Sequence, residues 1–349
     1  MIMRIKGFSL LTLGVILTLV PGCDNVQWAG VDVELRAPDP PPSDPAPEET
    51  DPDAEEIALE PLDLGPLLYL VEVDGPTGRI LPVAEWGADG YRPLPDEEDT
   101  PDFLERFPID RWEEGTEFIL LHQGRRVGTL ISDGSTGVDT ESCLLRPVTS
   151  GSLEVRTDLT APTRMVAVRR DDVAPGLLPD DLLRSSPASP QLSQPQLRAE
   201  AEDLGRHLVP RAEIPWPPSI PDLVADHQQV GVVGEDRMMA ATFIFGDEAE
   251  VRTAPATAYA FFTLAREEEG EWSPFWLWFQ EVSQGKAIPR VLASGRWTEA
   301  DAPELVLELF GSQERGLAIL GAREGEWSLL YRDPCGPEPA DGAARSWPW

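Results

Sequence analysis

Short apolar runs separated by turn-forming residues, at intervals of about ten residues, constrain this chain to a mainly β fold. The pattern is clearest between Ala293 and Cys335, where Leu305–Phe310, Gly316–Leu320 and Trp327–Tyr331 alternate with charged, Gly-containing pieces. Upstream, Leu67–Val73 precedes the turn Asp74-Gly75-Pro76 and a candidate partner strand, Arg79–Val83. Glu117–Gln123 and Arg126–Ile131 form the best-marked hairpin, and Leu153–Thr157 and Arg164–Val168 follow. These define a first β-rich region, residues 62–170, with Trp86, Trp112 and Phe118 in its core. Val230–Val233, Met239–Phe245, Tyr259–Ala265, Phe275–Phe279 and Arg290–Ser294 begin a second, residues 223–335. The spacing predicts antiparallel sheets arranged as sandwiches or as part of a propeller.

Between the two regions, residues 171–222 are interrupted by Pro175, Pro179, Pro187 and Pro190. Gln194–Val209 nevertheless reads as one short helix. Pro195 sits at an allowed first-turn position, Pro210 is the stop, and Leu197, Ala201, Leu204 and Leu208 share a face. Residues 23–61 are dominated by proline and acid, especially Ala37 to Glu56, a composition that stays extended and disordered. Residues 336–349 read as a flexible tail.

The N-terminus fixes the expected compartment. Arg4 and Lys6 precede an apolar stretch, Gly7 to Val20, that is short for a membrane span. Val20-Pro21-Gly22-Cys23 follows and resembles the lipobox of bacterial lipoproteins. The resemblance implies that residues 1–22 are a signal peptide and that Cys23 carries a lipid of the palmitate type. Cys23 would then anchor the chain to the inner or outer membrane, with the folded part in the periplasm or at the cell surface. The alternative is an ordinary secretory signal with an incidental Cys23. With Cys23 modified, Cys143 and Cys335 remain, and a pair in an exported chain is a disulfide candidate. Two separate buried thiols are the other reading.

A net charge of −34 argues against nucleic-acid partners, whose phosphates such a chain repels. The expected partners are therefore the membrane, through the lipid on Cys23, and an envelope protein or glycan. Trp272, Trp276 and Trp278 form the candidate binding patch. In a regular strand Trp276 and Trp278 share one face while Phe275 and Phe279 share the other. A strand apolar on both faces is also what a buried core strand looks like. His122, His207 and His227 show no metal-ligand spacing, and no nucleophile elbow or phosphate loop is present. No catalytic residue, metal site or cofactor is therefore expected. Non-enzymatic binding or scaffolding is the leading expectation, and a two-carboxylate envelope hydrolase the alternative.

One internal echo stands out. Tyr259–Trp272 and Gly316–Trp327 both read as an apolar run, a charged turn and Gly-Glu-Trp. Pro303-Glu304-Leu305-Val306-Leu307 with Gly325-Glu326-Trp327 resembles the repeat of FG-GAP/VCBS-type exported β-propeller proteins. In that family an acidic loop before the Pro-Glu binds calcium. Here those positions hold Arg296, Thr298 and Ala300, with Glu299, Asp301 and Glu304 nearby, so a solvated turn is expected in place of a metal site.

Overall fold

The computed structural model describes residues 59–346 apart from internal stretches, the longest being residues 174–191. The lipobox, most of the proline- and acid-rich stretch and the loop holding Arg296 to Asp301 lie outside the described residues. From Ala58 onward the chain is one compact unit. It is mainly β, as its apolar spacing predicts, with antiparallel sheets.

The first eight strands are β1 (Leu67–Asp74), β2 (Thr77–Gly87), β3 (Gly90–Pro93), β4 (Glu117–His122), β5 (Arg125–Ser132), β6 (Gly137–Asp139), β7 (Arg146–Val155) and β8 (Thr163–Arg169). They run in the order β3-β2-β1-β8-β4-β5-β7-β6, and β2 also pairs with β7. That extra pairing closes β2, β1, β8, β4, β5 and β7 into a six-stranded barrel. Closure forces a tight approach of β5 to β7. A Cβ at Gly128 or Gly151 would lie 2.3 Å from a carbonyl oxygen of the facing strand, so only glycine fits these positions.

Alternation explains the uniformly apolar look of β1. Leu67, Tyr69, Val71 and Val73 point into the barrel with Ile80, Phe118, Leu120, Leu130 and Met165. Two one-turn helices, α1 (Phe103–Arg106) and α2 (Pro108–Arg111), add Phe103 and, just beyond them, Phe107 and Trp112 to that interior. Leu68 and Leu70 point outward, where a second layer covers them.

That layer is the four-stranded meander β13 (Ile288–Gly295), β14 (Glu304–Phe310), β15 (Arg315–Arg323) and β16 (Glu326–Arg332). Its inner face sets Leu292, Val306, Leu317, Ile319 and Tyr331 against Leu68, Val83, Ile119, Leu121, Val166 and Val168 of the barrel. Its other face, Leu305, Leu307, Leu309 and Leu320, packs on a further sheet. Every residue of β14 is therefore buried. The further sheet is β9 (Val224–Val233), β10 (Asp236–Phe245), β11 (Tyr259–Glu268) and β12 (Glu271–Glu281), extended by β17 (Ala344–Ser346) along β12. Its far side carries Met239, Phe243, Phe261 and Leu277 beneath α3 (Gln194–Arg211), which presents the expected Leu197, Ala201, Leu204 and Leu208. Gln196 closes the helix start, its amide oxygen accepting from both the Ser193 backbone N–H and the Ser193 hydroxyl, at 3.0 and 2.7 Å. The order of layers is barrel, meander, meander, helix. Each buried Leu or Phe at these interfaces contributes about 1.5–3 kcal/mol of transfer free energy.

Residues 336–346 are not the expected tail. β17 pairs with Trp276–Trp278, and the Phe279 N–H donates to the carbonyl of Ala343, which is buried. The edge of β12 leaves backbone groups that a short strand without apolar patterning can satisfy.

The Gly-Glu-Trp echo is structural. Both copies are the third and fourth strands of a meander. Glu269-Gly270 and Glu324-Gly325 all have positive φ, at 55°, 87°, 53° and 84°, as a two-residue type I′ turn requires. Trp272 faces Glu267 and Trp327 faces Ala322, at matching distances from the turn. Both fourth strands then bulge three residues beyond the Trp, at Phe275 and at Leu330. Gly325→Ala should cost about 1–2 kcal/mol, because an L residue must enter the left-handed region there; urea denaturation measures it, and Gly270→Ala should behave alike.

Candidate functional site

The barrel and the first meander meet in a seam crossed by polar side chains. Two of them stand where β14 should be wholly apolar: Glu304 and Glu308 interrupt a buried run on the barrel-facing side. Glu304 accepts from the Tyr91 hydroxyl at 2.9 Å, and Tyr331 donates across the seam to the Val83 carbonyl at 2.9 Å. Burial raises the phenol pKa at both Tyr91 and Tyr331.

Glu308 is the hub. Its side chain is 0% exposed and meets Arg164 of β8 at 2.7 Å, Arg290 of β13 at 2.6 Å and Arg315 of β15 at 3.3 Å. Arg164 also reaches Glu72 of β1 at 2.9 Å. Burial opposes ionisation of Glu308, but Arg164, Arg315 and Arg290 outweigh it and hold the carboxyl below the usual carboxylate range. Burial lowers the pKa of Arg315, and the neighbouring Arg164 and Arg290 add to that against the pull of Glu308. Arg290 lies within electrostatic reach of two more groups. His122 is lowered by burial and then by Arg290, while burial raises Asp226 against Arg290.

At one end of the seam Cys143 and Cys335 are joined by a disulfide, with Cα atoms 5.4 Å apart. Beside it, Arg146 donates to Asp333 at 2.6 Å, a pair that is itself buried, and Asp333 accepts from the Cys335 N–H at 3.0 Å. Between this end and the Glu308 cluster is a cavity of about 550 Å³, lined by Arg146, Arg164, Arg315, Asp139, Leu81 and Leu317 among others. Its size is that of a small-ligand site.

The tryptophans do not form the candidate patch; their strand is the buried one that its two apolar faces suggest. Trp276 and Trp278 are 1% and 0% exposed and belong to the core between the two meanders. Trp272 is half-buried against the α3 side. The Phe275 bulge breaks the alternation, so Phe275 lies with Trp276, not with Phe279. The aromatic pair that does border a recess is Phe275 and Trp327, 5.5 Å apart, with Arg266 over Phe275 at 5.2 Å. That recess, about 310 Å³, is smaller than the seam cavity.

The histidines stay apart from any shared centre. His207 is exposed on α3, with Nδ1 3.0 Å from the Asp203 carbonyl oxygen; His227 is half-buried on β9; His122 is half-buried at the end of β4. Among the described residues no three His, Cys, Asp or Glu side chains are grouped to hold a metal ion. Glu304 and Glu308 do not make a glycosidase pair. Four strand residues apart, they are separated by about 13 Å, against the roughly 5–9.5 Å such pairs need. Glu308 is also held ionised, the wrong state for a general acid.

Sequence reasoning missed the arginines: Arg164 and Arg146 are 144 and 187 residues from their partners, and Arg290, though 18 from Glu308, meets it only through strand pairing. The available signal was the run Glu304-Leu-Val-Leu-Glu-Leu-Phe310, since a buried carboxylate demands a partner. Comparison of this chain with protein families, with curated proteins and with solved structures finds no match.

Proposed function

We propose that this chain is a lipid-anchored binding module of a bacterial cell envelope, holding a glycan or an envelope protein without catalysing a reaction. The observation that carries the reading is the seam cavity. Its walls come from the barrel and the meander on it, with Val251 from the connection between β10 and β11, and its two ends are fixed by a disulfide and by a carboxylate shared among three guanidiniums. Such walls hold a preformed shape, which lowers the ordering cost of binding. The arginines on its wall are paired, Arg146 with Asp333, Arg164 with Glu72 and Arg315 with Glu308, an arrangement suited to recognition. The Cys143–Cys335 bridge is compatible with an oxidising compartment. Among the described residues no helix is long and apolar enough to cross a membrane. Attachment in this reading falls to Cys23 of the lipobox-like segment.

Cys23→Ala should release the protein from the membrane fraction into the soluble fraction after cell lysis. Processing of the unsubstituted chain should stop when lipoprotein signal peptidase is inhibited. A Cys23→Ala protein that still sediments wholly with membranes contradicts the anchor. Crosslinking in intact envelopes, with the unsubstituted chain, should identify the molecule held.

A further inference from the structure

We propose that the seam cavity binds a small hydroxylated carboxylate, an acidic sugar, with Arg315 as the residue that meets its carboxylate. This rests on the reading of the chain as an envelope binding module and names the ligand class of its cavity. The donor count points to an anion. Arg164, Arg290 and Arg315 each carry a five-donor fork, and they converge on Glu308, with Glu72 as a second acceptor on Arg164. Glu308 is thus shared by three guanidiniums, while Glu72 divides between Arg164 and Arg79, so guanidinium forks outnumber carboxylates at the Arg315 corner of the cavity. Arg315 is the member of the three that is both on the cavity wall and pre-positioned. Its guanidinium lies over the buried Phe310 ring at 4.8 Å, and Arg290 lies over the same ring at 4.9 Å. A planar fork fixed in this way suits a carboxylate.

The rest of the wall selects against a more highly charged anion. Glu72, Glu314, Asp139 and Asp333 also line the cavity, Asp139 paired with Arg79 at 3.1 Å and Asp333 with Arg146 at 2.6 Å. A phosphate dianion would be repelled by them. Sugar hydroxyls would donate to the Glu314 carboxylate, and Leu81 and Leu317 offer an apolar surface to the ring's C–H face. The volume, about 550 Å³, is in the range for such ligands.

The test is calorimetric titration of the full lipidated chain in detergent with D-glucuronate, D-glucose and inorganic phosphate. Glucuronate should saturate, with glucose and phosphate weaker by about tenfold or more. Arg315→Leu should weaken glucuronate by about tenfold or more, and Arg315→Lys by less. Because Arg315 also touches Glu308, a second variant is needed. Gln313→Trp, at an exposed rim position of the cavity, should block binding while leaving the melting temperature unchanged. No saturation by glucuronate up to about 50 mM, phosphate binding as tightly as glucuronate, or unaltered binding in both Arg315→Leu and Gln313→Trp would overturn the proposal. Failure here with normal Cys23-dependent fractionation removes the ligand assignment and leaves the anchor standing.

Discussion

Glu308→Ala is expected to destabilise the folded unit by about 3 kcal/mol, the low end of the range for removing one partner of a buried ion pair, because Arg290 and Arg315 keep 40% and 36% of their side chains exposed. The loss arises less from the missing attraction than from what stays behind. Arg164, Arg290 and Arg315 would face one another across the seam with Glu72 as the nearest remaining carboxylate on Arg164. Their mutual repulsion acts where barrel and meander join, so unfolding should remain a single transition with a lower urea midpoint. Replacing the cluster by apolar residues of like volume should recover much of the loss, because a buried pair contributes little over a well-packed apolar core. The pH dependence has a defined sign. The folded-state pKa of Glu308 is depressed, so its stabilisation is complete above the ordinary carboxylate range and disappears as pH falls through the depressed value. His122, whose pKa is lowered, works in the same direction: the unfolded chain takes up its proton first, and stability falls as pH drops below about 6.5. Asp226, raised by burial, opposes both, because its contribution fades as pH rises through the ordinary carboxylate range. Acid unfolding of the wild-type chain should therefore begin near the histidine range and steepen below it, and Glu308→Ala should flatten the lower part. A loss under about 1 kcal/mol would contradict the assignment of Glu308 as hub.

Cys143→Ser with Cys335→Ser should cost up to about 5 kcal/mol by the chain-entropy argument for a loop of 192 residues. The folded state retains its other links across the seam, Arg146 with Asp333, Tyr91 with Glu304 and Tyr331 with Val83. The effect should thus lie mainly in the unfolded chain, which expands when the bridge is gone. Urea denaturation should show a lower midpoint together with a steeper dependence on urea, since more surface is exposed on unfolding. A lower midpoint with unchanged steepness would place the loss in the folded state instead.

What the sequence disclosed follows the range of the forces involved. The Glu-Gly turns and their tryptophans were legible because a two-residue turn imposes its chemistry locally. The α3 face was legible because Leu197, Ala201, Leu204 and Leu208 recur at helical steps. Barrel closure was not, since it depends on β2 meeting β7, and β7 begins at Arg146 in a run whose Pro147, Ser150 and Gly151 resemble a turn. That Trp276 and Trp278 are core was legible in part, since a strand apolar on both faces reads as buried, but which layer covers them was not. The seam was hidden for a related reason. Arg290 and Arg315 meet Glu308 through the pairing of adjacent strands, but Arg164 and Arg146 join the seam only once the barrel is stacked on the meander.

The most direct measurement is mass spectrometry of the mature protein taken from cells without reduction. The account predicts an N-terminal peptide that begins at Cys23 and carries the lipid mass, together with a linked peptide pair joining Cys143 to Cys335. An N-terminus at Met1 with an unmodified Cys23, or free thiols at Cys143 and Cys335, would contradict an exported, lipid-anchored module stapled across its seam.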